Sequence, residues 1–259
     1  MLVLENVFYG YPGGAAAVRG LTLAIARGEW VALMGANGCG KSTVARLACG
    51  LIEPDAGKVA RPRVGYVAQD PEANIVGETV LEDVAWNVAP RGEQAALGRV
   101  AESLALVGLS GYEGRSMWSL SGGELQRTAV AAALAQGAEA LVLDEPTSHL
   151  AGPDGQEFCK RLKAIVTSRK LAVLYVTHRP EEARFADRVV VLAHGRIALE
   201  ARPAGALFRR ALLGMLGLRA DLAISAKRVL DQRRRAANRA AGEDVFERLV
   251  ERTCSGLIE

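Results

Sequence analysis

A short glycine-rich stretch, residues 35–43, is the part of the sequence most able to do chemistry: Gly-Ala-Asn-Gly-Cys-Gly-Lys-Ser-Thr. Its Gly-x-x-x-x-Gly-Lys-Ser spacing is typical of a loop in which backbone N–H groups converge on a di- or triphosphate. Lys41 is expected to reach the β- and γ-phosphates, and Ser42 to place its hydroxyl on Mg²⁺. The stretch therefore predicts a nucleotide site. The other loop residues expected to contact the nucleotide are Asn37, Gly38, Cys39, Gly40 and Thr43.

Cys39 allows two interpretations. A thiol at a helix N-terminus and near a lysine is one whose thiolate form is favoured, which would make it reactive. Cysteine is also a small side chain that the loop could simply tolerate. In either case, alkylation of Cys39 should block nucleotide binding.

Two carboxylates, Asp144 and Glu145, end the apolar run 140–143. In proteins with this type of loop, the aspartate of a second strand holds Mg²⁺ through its water shell. Glu145 is then expected to face the γ-phosphate and to orient or deprotonate a water molecule. His178 ends another apolar run, 171–177, and because ligands of open α/β sheets bind at this edge, a γ-phosphate contact is expected for it too.

Two further features are ambiguous when read alone. Ser121 and Glu124 have the spacing of a capping box, which would start a helix without any other function. Alternatively, the bare backbone of Gly122 and Gly123 leaves that helix N-terminus open to an anion. Tyr11 follows a predicted strand, and its ring could either stack on a nucleotide base or pack against the sheet.

The elements that must position these residues alternate between strands and helices, with a mostly helical segment inserted. Strands are predicted at 2–8, 21–25, 30–34, 63–69, 140–145 and 171–177, followed by a hairpin of 188–193 and 196–201. Helices are predicted at 44–49, 78–86, 93–107 and 128–136. The remaining histidines, His149 and His194, are expected to be surface or satisfied core residues.

Composition limits the class of protein. The 259 residues are 50% hydrophobic, which suits one large domain or a core with a subdomain, and the net charge of +3 is too small to indicate nucleic-acid binding. No apolar stretch is long enough to span a bilayer, and the N-terminus lacks a signal sequence, so a cytosolic chain is expected. The scattered cysteines suggest neither a zinc site nor disulfides.

The C-terminal residues are predicted to be helical, at 204–216 and about 219–254. Basic side chains give this tail a positive face: Lys227, Arg228, Arg233, Arg234, Arg235 and Arg239. That face is either solvated, or it contacts another subunit or an acidic membrane.

Taken in order, these motifs resemble the nucleotide-binding subunit of ATP-binding-cassette (ABC) transporters over about residues 2–205. The resemblance rests on the glycine-rich loop, on Gln69, and on the runs 120–127 (Leu-Ser-Gly-Gly-Glu-Leu-Gln-Arg), 143–148 (Leu-Asp-Glu-Pro-Thr-Ser) and 176–178 (Val-Thr-His). A narrower similarity, in 69–72 (Gln-Asp-Pro-Glu) and 77–86, is to energy-coupling-factor (ECF) importers and related cobalt and nickel uptake ATPases. Asn74 stands where that group often has glutamine.

The resemblance implies an α/β fold with a P-loop NTPase (RecA-like) core, an N-terminal antiparallel β subdomain and a helical subdomain at about 70–138. An ABC ATPase domain would span 1–205 and a helical tail 206–259. Tyr11 would stack on adenine. Gln69 would ligate Mg²⁺ and sense the membrane partner. Ser121 and Gly122, with Gly123 beside them, would contact the γ-phosphate that the other subunit of a head-to-tail dimer holds.

The implied function is ATP hydrolysis that powers a multi-subunit membrane importer, for a vitamin or a transition-metal ion, through ATP-driven dimer closure. ATP and Mg²⁺ are the implied cofactors, and no nucleic acid is implied. A transmembrane subunit would insert a helix into a groove between residues 69 and 90, where Trp86 is the candidate anchor. The protein would lie at the cytoplasmic face of the cell membrane, associated through its partners.

The stretch after Ser148 departs from the family pattern. The family usually reads Ala-Leu-Asp there, whereas residues 149–154 read His-Leu-Ala-Gly-Pro-Asp, so the aspartate that crosses the dimer is missing or displaced to Asp154. A homodimer and a heterodimer with a second ABC ATPase both stay open, and in the latter this chain could be a partly degenerate subunit. A soluble ABC ATPase of DNA repair or translation is a further alternative, although no long heptad insertion or second cassette supports it.

Overall fold

The structure is a computed structural model that describes residues 1–86, 88, 93–148, 150 and 152–203. The chain divides into two units, Met1–Arg202 and Pro203–Glu259. The first unit contains every predicted site residue. The helices and basic face predicted from residue 204 onwards lie outside the described residues, as does His149.

A six-stranded sheet forms the centre of the first unit, in the order β5-β6-β7-β3-β8-β9. Its strands are β3 (Trp30–Gly35), β5 (Val64–Val67), β6 (Ala140–Asp144), β7 (Ala172–Val176), β8 (Arg188–Ala193) and β9 (Arg196–Ala201). Neighbours from β5 to β8 are parallel, and β9 pairs antiparallel with β8 across the predicted hairpin. Because β3, β6 and β7 are buried along their whole length, they read as continuous apolar runs. Their carboxyl ends share one edge of the sheet.

A separate three-stranded antiparallel sheet confirms the predicted N-terminal β subdomain. It has the order β2-β1-β4, with β1 (Leu2–Gly10), β2 (Ala16–Ile25) and β4 (Ala56–Ala60). Leucines spaced two residues apart on β1 and β2 are buried in the core it shares with the central sheet, in keeping with the period of a strand. This subdomain brings the segment after β1, which carries Tyr11, toward the first helix.

The helices are α1 (Lys41–Cys49), α2 (Val80–Ala85), α3 (Glu93–Val107), α4 (Gly122–Ala135), α5 (Gly152–Arg169) and α6 (Pro180–Ala183). Helices α2 to α4 make up the predicted helical segment between β5 and β6. Both α2 and α4 begin with a capping box, formed by Thr79 with Glu82 and by Ser121 with Glu124. Within the described part of the chain, no helix combines the length and the apolar character that crossing a membrane requires.

Candidate active site

The glycine-rich loop joins the end of β3 to the start of α1, and its conformation requires glycine at two positions. Gly40 has φ 107°, and a Cβ there would come within 2.4 Å of the Ala17 carbonyl oxygen. A Cβ on Gly35, which has φ 152°, would come within 2.4 Å of the Leu192 carbonyl oxygen. No side chain caps the N-terminus of α1. The first N–H groups of this helix are therefore available to an anion.

Lys41 is the first residue of α1, and its side chain is buried. Its ammonium donates hydrogen bonds to the carbonyl oxygens of Gly35 (2.9 Å) and Ala36 (3.1 Å). Two carbonyl oxygens of the loop thus hold the Lys41 ammonium in place. An arriving polyphosphate would meet both the ammonium and the free N–H groups of α1.

Asp144, the last residue of β6, is buried, and its Oδ1 has no hydrogen-bond partner among the described residues. Burial raises the pKa of its carboxyl above the usual range, while a hydrogen bond from Ser42 and the charges of Arg46 and Lys41 act in the opposite direction. A buried carboxylate oxygen without a partner is costly unless something compensates it. A hard cation such as Mg²⁺ prefers carboxylate and hydroxyl oxygens, so the Ser42–Asp144 pair fits the ion.

Glu145 and His178 are brought together by neighbouring strands. The Nδ1 atom of His178 lies 3.2 Å from Oε2 of Glu145, and the Glu145 backbone N–H donates to the Val176 carbonyl oxygen at 3.0 Å. Glu145 has φ 49°, in the left-handed region that non-glycine residues rarely adopt. The pair places a carboxylate and an imidazole just beyond the strand end that carries Asp144.

Tyr11 lies against α1. The sequence allowed its ring either to stack on a base or to pack against the sheet, and neither alternative included this contact with α1. Its hydroxyl is 3.4 Å from Oγ1 of Thr43 and accepts a hydrogen bond from Arg46 at 3.4 Å. Its ring and that of Tyr9 form a T-shaped pair with a centroid separation of 5.0 Å, and the Tyr11 side chain is exposed. An exposed ring beside the phosphate loop is available for a base.

Gln69 lies just past the end of β5, the strand next to β6, and its side chain is exposed. The preceding carbonyl, of Ala68, accepts a hydrogen bond from Gln126 at 3.2 Å, which ties this strand end to α4. In the described part of the chain, no hydrogen bond joins Gln69 to Ser42 or Asp144. The three predicted magnesium ligands are therefore at the same sheet edge, but only two of them interact.

Ser121 forms the predicted capping box. Its hydroxyl donates to Oε2 of Glu124 at 2.9 Å and its backbone N–H donates to the same oxygen at 2.8 Å, while Tyr112 donates to Oε1 at 2.8 Å. The adjacent glycines, Gly122 and Gly123, are at most partly covered. Among the described residues, no hydrogen bond or ion pair joins this segment to the glycine-rich loop of the same chain.

These hydrogen bonds, the Ser121 backbone N–H first among them, lower the pKa of Glu124 to about 2 from 4.5. Because the folded pKa lies below the unfolded value, the stabilisation is complete above pH 4.5 and is lost as the pH falls toward 2. Glu124→Gln is therefore expected to lower the free energy of unfolding by about 1–3 kcal/mol at neutral pH, and by less near the folded pKa. Urea unfolding at neutral and acid pH measures both values.

The control for this experiment is Glu72→Gln, which removes an exposed carboxylate and is expected to change the free energy of unfolding by less than about 0.5 kcal/mol at neutral pH. A loss for Glu124→Gln that is the same at both pH values would contradict the role of the ionised carboxylate.

The thiolate interpretation of Cys39 is wrong. Its side chain is buried, and burial raises the pKa of the thiol above its usual value, although the charge of Lys41 acts to lower it. The thiol fills space between the loop and the sheet. Cys39 is thus a tolerated small residue, and the other loop positions Asn37 and Gly38 are exposed.

Sequence reasoning missed several residues around the site. Arg179 and Glu182 form a buried network with the loop after Glu145, and their only sequence signal is that they closely follow His178. Trp118, three residues before Ser121, is 73% exposed, and Trp86, the predicted anchor, is 65% exposed. Large exposed aromatic side chains are a signal of interfaces.

Comparisons with known proteins agree with this geometry. The family model described as ABC transporter matches residues 18–148. The chain is 38% identical over 228 residues to the energy-coupling factor transporter ATP-binding protein EcfA of Methanosarcina acetivorans, covering 80% of this chain and 81% of that protein. It is 40% identical over 227 residues to EcfA1 of Symbiobacterium thermophilum, covering 78% and 79%.

Solved structures show the same fold. CbiO1 of Clostridium perfringens, part of the ABC transporter complex cbiONQ, matches with a TM-score of 0.74 at 27% identity, over 85% of this chain and 95% of that one. The ATP-binding cassette MJ0796, a dimer in a post-hydrolysis state bound to ADP and Pi, matches with a TM-score of 0.70 at 29% identity, over 79% and 100%.

Proposed function

Since this chain belongs to the ABC transporter family and is an ATPase of that family, we propose that it powers a multi-subunit importer of the energy-coupling-factor type. The names of its relatives, energy-coupling factor transporter ATP-binding proteins, support this assignment. The proposal includes a vitamin or a transition-metal ion as cargo. It also includes a location at the cytoplasmic face of the cell membrane, where transmembrane subunits hold the protein.

The observation that carries the proposal is a convergence at one edge of the central sheet. The Lys41 loop, the unpartnered Oδ1 of Asp144 and the Glu145–His178 pair all lie there. A phosphate cradle, a position for a hard cation and a candidate base next to it are the parts that phosphoryl transfer to water needs. A glycine turn, a buried carboxylate and a surface histidine with purely structural roles would have no reason to lie at the same edge of the sheet.

Each residue has a distinct task in this proposal. Lys41 and the N–H groups of residues 37–43 bind the β- and γ-phosphates, and Tyr11 stacks on adenine. Ser42 and Asp144 would hold Mg²⁺, together with Gln69, which follows the neighbouring strand β5. The bound ion would neutralise charge on the phosphate oxygens. Glu145 orients or deprotonates the attacking water, and His178 contacts the γ-phosphate.

A second subunit completes the site. Exposed Ser121 and Gly122, with half-buried Gly123, lie at the N-terminus of α4, where a negative charge is favoured. We expect them to contact the γ-phosphate bound to the partner's loop. If each ATP contributes about 2.7 kcal/mol to the closed dimer, two contribute about 5.4 kcal/mol. That is close to the roughly 5.5 kcal/mol needed to move a dimer from mostly open to mostly closed.

The domain boundaries belong to the proposal too: an ATPase domain over 1–205, with a helical subdomain at about 70–138, and a tail over 206–259. Asp154 lies exposed in the first turn of α5 rather than in the loop that the family pattern would place it in. A homodimer and a heterodimer with unequal sites both stay open, whether the aspartate that crosses the dimer is missing or displaced to Asp154.

Substitution of Trp86 tests whether the protein binds a transmembrane partner at the end of α2. The exposed Trp86 ring, at the end of α2, is expected to anchor a helix of the transmembrane subunit, and buried aromatic anchors contribute about 2 kcal/mol or more to an interface. Trp86→Ala should therefore weaken association with the membrane complex by roughly thirtyfold. The measurement is co-purification of the tagged chain from solubilised membranes, with ATPase activity of the isolated chain as a second readout.

Leu51→Ala is the matched control, because Leu51 is a similarly exposed apolar side chain outside the helical segment. It should leave association unchanged. Full recovery of the membrane complex with Trp86→Ala would remove Trp86 from the interface. Failure of the unmodified chain to co-purify with any hydrophobic membrane protein would contradict the importer assignment itself.

A further inference from the structure

A buried carboxylate links the two segments that carry Glu145 and His178. Glu182, in α6, is only 2% exposed, yet it lies within hydrogen-bond reach of three hydroxyl groups. Thr147 donates to Oε1 at 2.5 Å, and Thr177 and Tyr175 donate to Oε2 at 2.7 Å and 3.1 Å. A buried carboxylate is tolerated only when hydrogen-bonded in this way. Glu182 therefore fastens the loop after β6 to the end of β7.

Arg179 holds the same loop by its backbone. One terminal nitrogen of its guanidinium donates to the carbonyl oxygens of Thr147 (2.8 Å) and Leu150 (3.4 Å), and the other donates to that of Ser148 (3.3 Å). The first nitrogen also lies 3.5 Å from Oε1 of Glu182. Carbonyls of an irregular loop need partners, and the planar fork of arginine can serve several at once. No single ammonium group could reproduce this geometry.

The loop held in this way begins at Glu145. The Ser148 N–H donates to the Glu145 carbonyl oxygen at 3.1 Å, so the clamped segment and the candidate base form one turn. Glu145 also keeps its left-handed φ of 49°, a conformation that persists only where the surroundings enforce it. On the other side, Arg179 directly follows His178 in the chain. Movement of the loop would thus change the position of the Glu145 carboxylate relative to His178.

From this geometry we infer that Arg179 and Glu182 are positioning residues for ATP hydrolysis. They fix Thr147, Ser148 and Leu150, which follow Glu145, to the end of β7, and so hold Glu145 and His178 in place relative to each other. This inference rests on the proposed function. In the described part of the chain, no hydrogen bond or ion pair joins Arg179 or Glu182 to the glycine-rich loop, so we expect them to set the rate of hydrolysis and not the affinity for ATP.

The test compares Arg179→Ala with Arg179→Lys in the full chain, by steady-state ATP hydrolysis and by ATP binding measured separately. Arg179→Ala is expected to lower kcat by roughly ten- to a hundredfold with less than a twofold change in the Kd for ATP, because only the positioning of the base is lost. Arg179→Lys should recover part of kcat, since it restores one donor. Glu182→Gln, which keeps the shape and some of the hydrogen bonds, should fall between the wild type and Arg179→Ala.

Arg184→Ala is the matched control. Arg184 lies on the same segment, is exposed, and donates to Gln156 at 2.9 Å, so its loss removes a nearby charge without touching the loop. It should leave kcat unchanged. Should Arg179→Ala not fold, Arg179→Lys and Glu182→Gln carry the test alone. Wild-type kcat in the folded Arg179 variants would overturn the inference, as would a loss of ATP affinity equal to the loss of kcat.

A failure of the positioning role and a failure of the proposed function give different results. If the wild type hydrolyses ATP, Glu145→Gln does not, and Arg179→Ala hydrolyses normally, only the positioning role is wrong. If Glu145→Gln hydrolyses as fast as the wild type, the assignment of the base is wrong, and Arg179 has no base to position.

Discussion

Lys41→Ala is expected to reduce the affinity for ATP by about a hundred- to ten-thousandfold. Charge-assisted hydrogen bonds contribute about 1.5–3 kcal/mol each, and Lys41 is expected to make two of them to the β- and γ-phosphates. Its ammonium is already fixed by the carbonyl oxygens of Gly35 and Ala36, so little entropy is lost when the phosphates arrive. Isothermal titration with ATP and Mg²⁺ measures the change directly.

The substitution also removes two hydrogen bonds within the loop, so a matched pair of variants is needed. Lys41→Met keeps most of the buried side-chain volume and should lose the same affinity, whereas Lys58→Ala removes an exposed lysine of β4 and should bind normally. Thermal unfolding without nucleotide identifies any variant that fails to fold. Unchanged ATP affinity in Lys41→Met would show that nucleotide does not bind at this loop.

The parts of the structure that were predictable are those whose chemistry is encoded over a few consecutive residues. The glycine-rich loop lies where its spacing required, and the predicted capping box of Ser121 and Glu124 is confirmed with both reciprocal hydrogen bonds. The buried strands β3, β6 and β7 follow from their apolar runs. In each case, a few consecutive residues carry the pattern that predicts the element, although its contacts reach other parts of the chain.

Helix α5 was not predictable in the same way. Its first residues, Gly152 to Gly155, read as a loop, because glycine and proline usually end regular structure. Proline suits the first turn of a helix, however, and Asp154 there is favoured by the helix dipole. The apolar residues that stabilise the helix, such as Phe158 and Leu162, are buried by packing against α3 and α4. Tertiary contacts, and not the local sequence, therefore determine that residues 152–169 form a helix.

Strand β2 shows the same limit. It begins at Ala16, earlier than the predicted start at residue 21, because its alanines have little intrinsic preference for a strand. Pairing with β1, in which Ala16 is opposite Gly10, extends it. The early start of β2 shortens the loop that carries Tyr11.

Within the site, long-range burial could not be seen in the sequence. The local setting of Cys39 suggested a reactive thiolate, but its packing under the loop raises the pKa instead. The network of Arg179 and Glu182 joins residues that are 32 and 35 positions away from Thr147. Spacing alone cannot reveal such contacts, whereas it does place Glu145 and His178 at the ends of neighbouring strands.

Glu145→Gln is expected to have the largest effect on turnover. The amide cannot accept a proton from water, and loss of a general base or of one transition-state contact typically costs about 10²–10⁴ in rate. Binding should persist, because the Lys41 loop and the Ser42–Asp144 pair are untouched. The variant should therefore bind ATP and accumulate the closed dimer, since hydrolysis no longer removes the roughly 5.4 kcal/mol that two nucleotides contribute to closure.

Phosphate release and size-exclusion chromatography with ATP and Mg²⁺ measure the two consequences on one sample. Glu181→Gln is the matched control: it neutralises an exposed carboxylate of α6, a few residues from His178, and should give wild-type turnover and no trapped dimer. Normal turnover in Glu145→Gln would remove Glu145 from catalysis. Slow turnover without an ATP-dependent dimer would keep the base and contradict the bridging role of ATP, because the hydrolytic and the assembly functions of the site would then be separable.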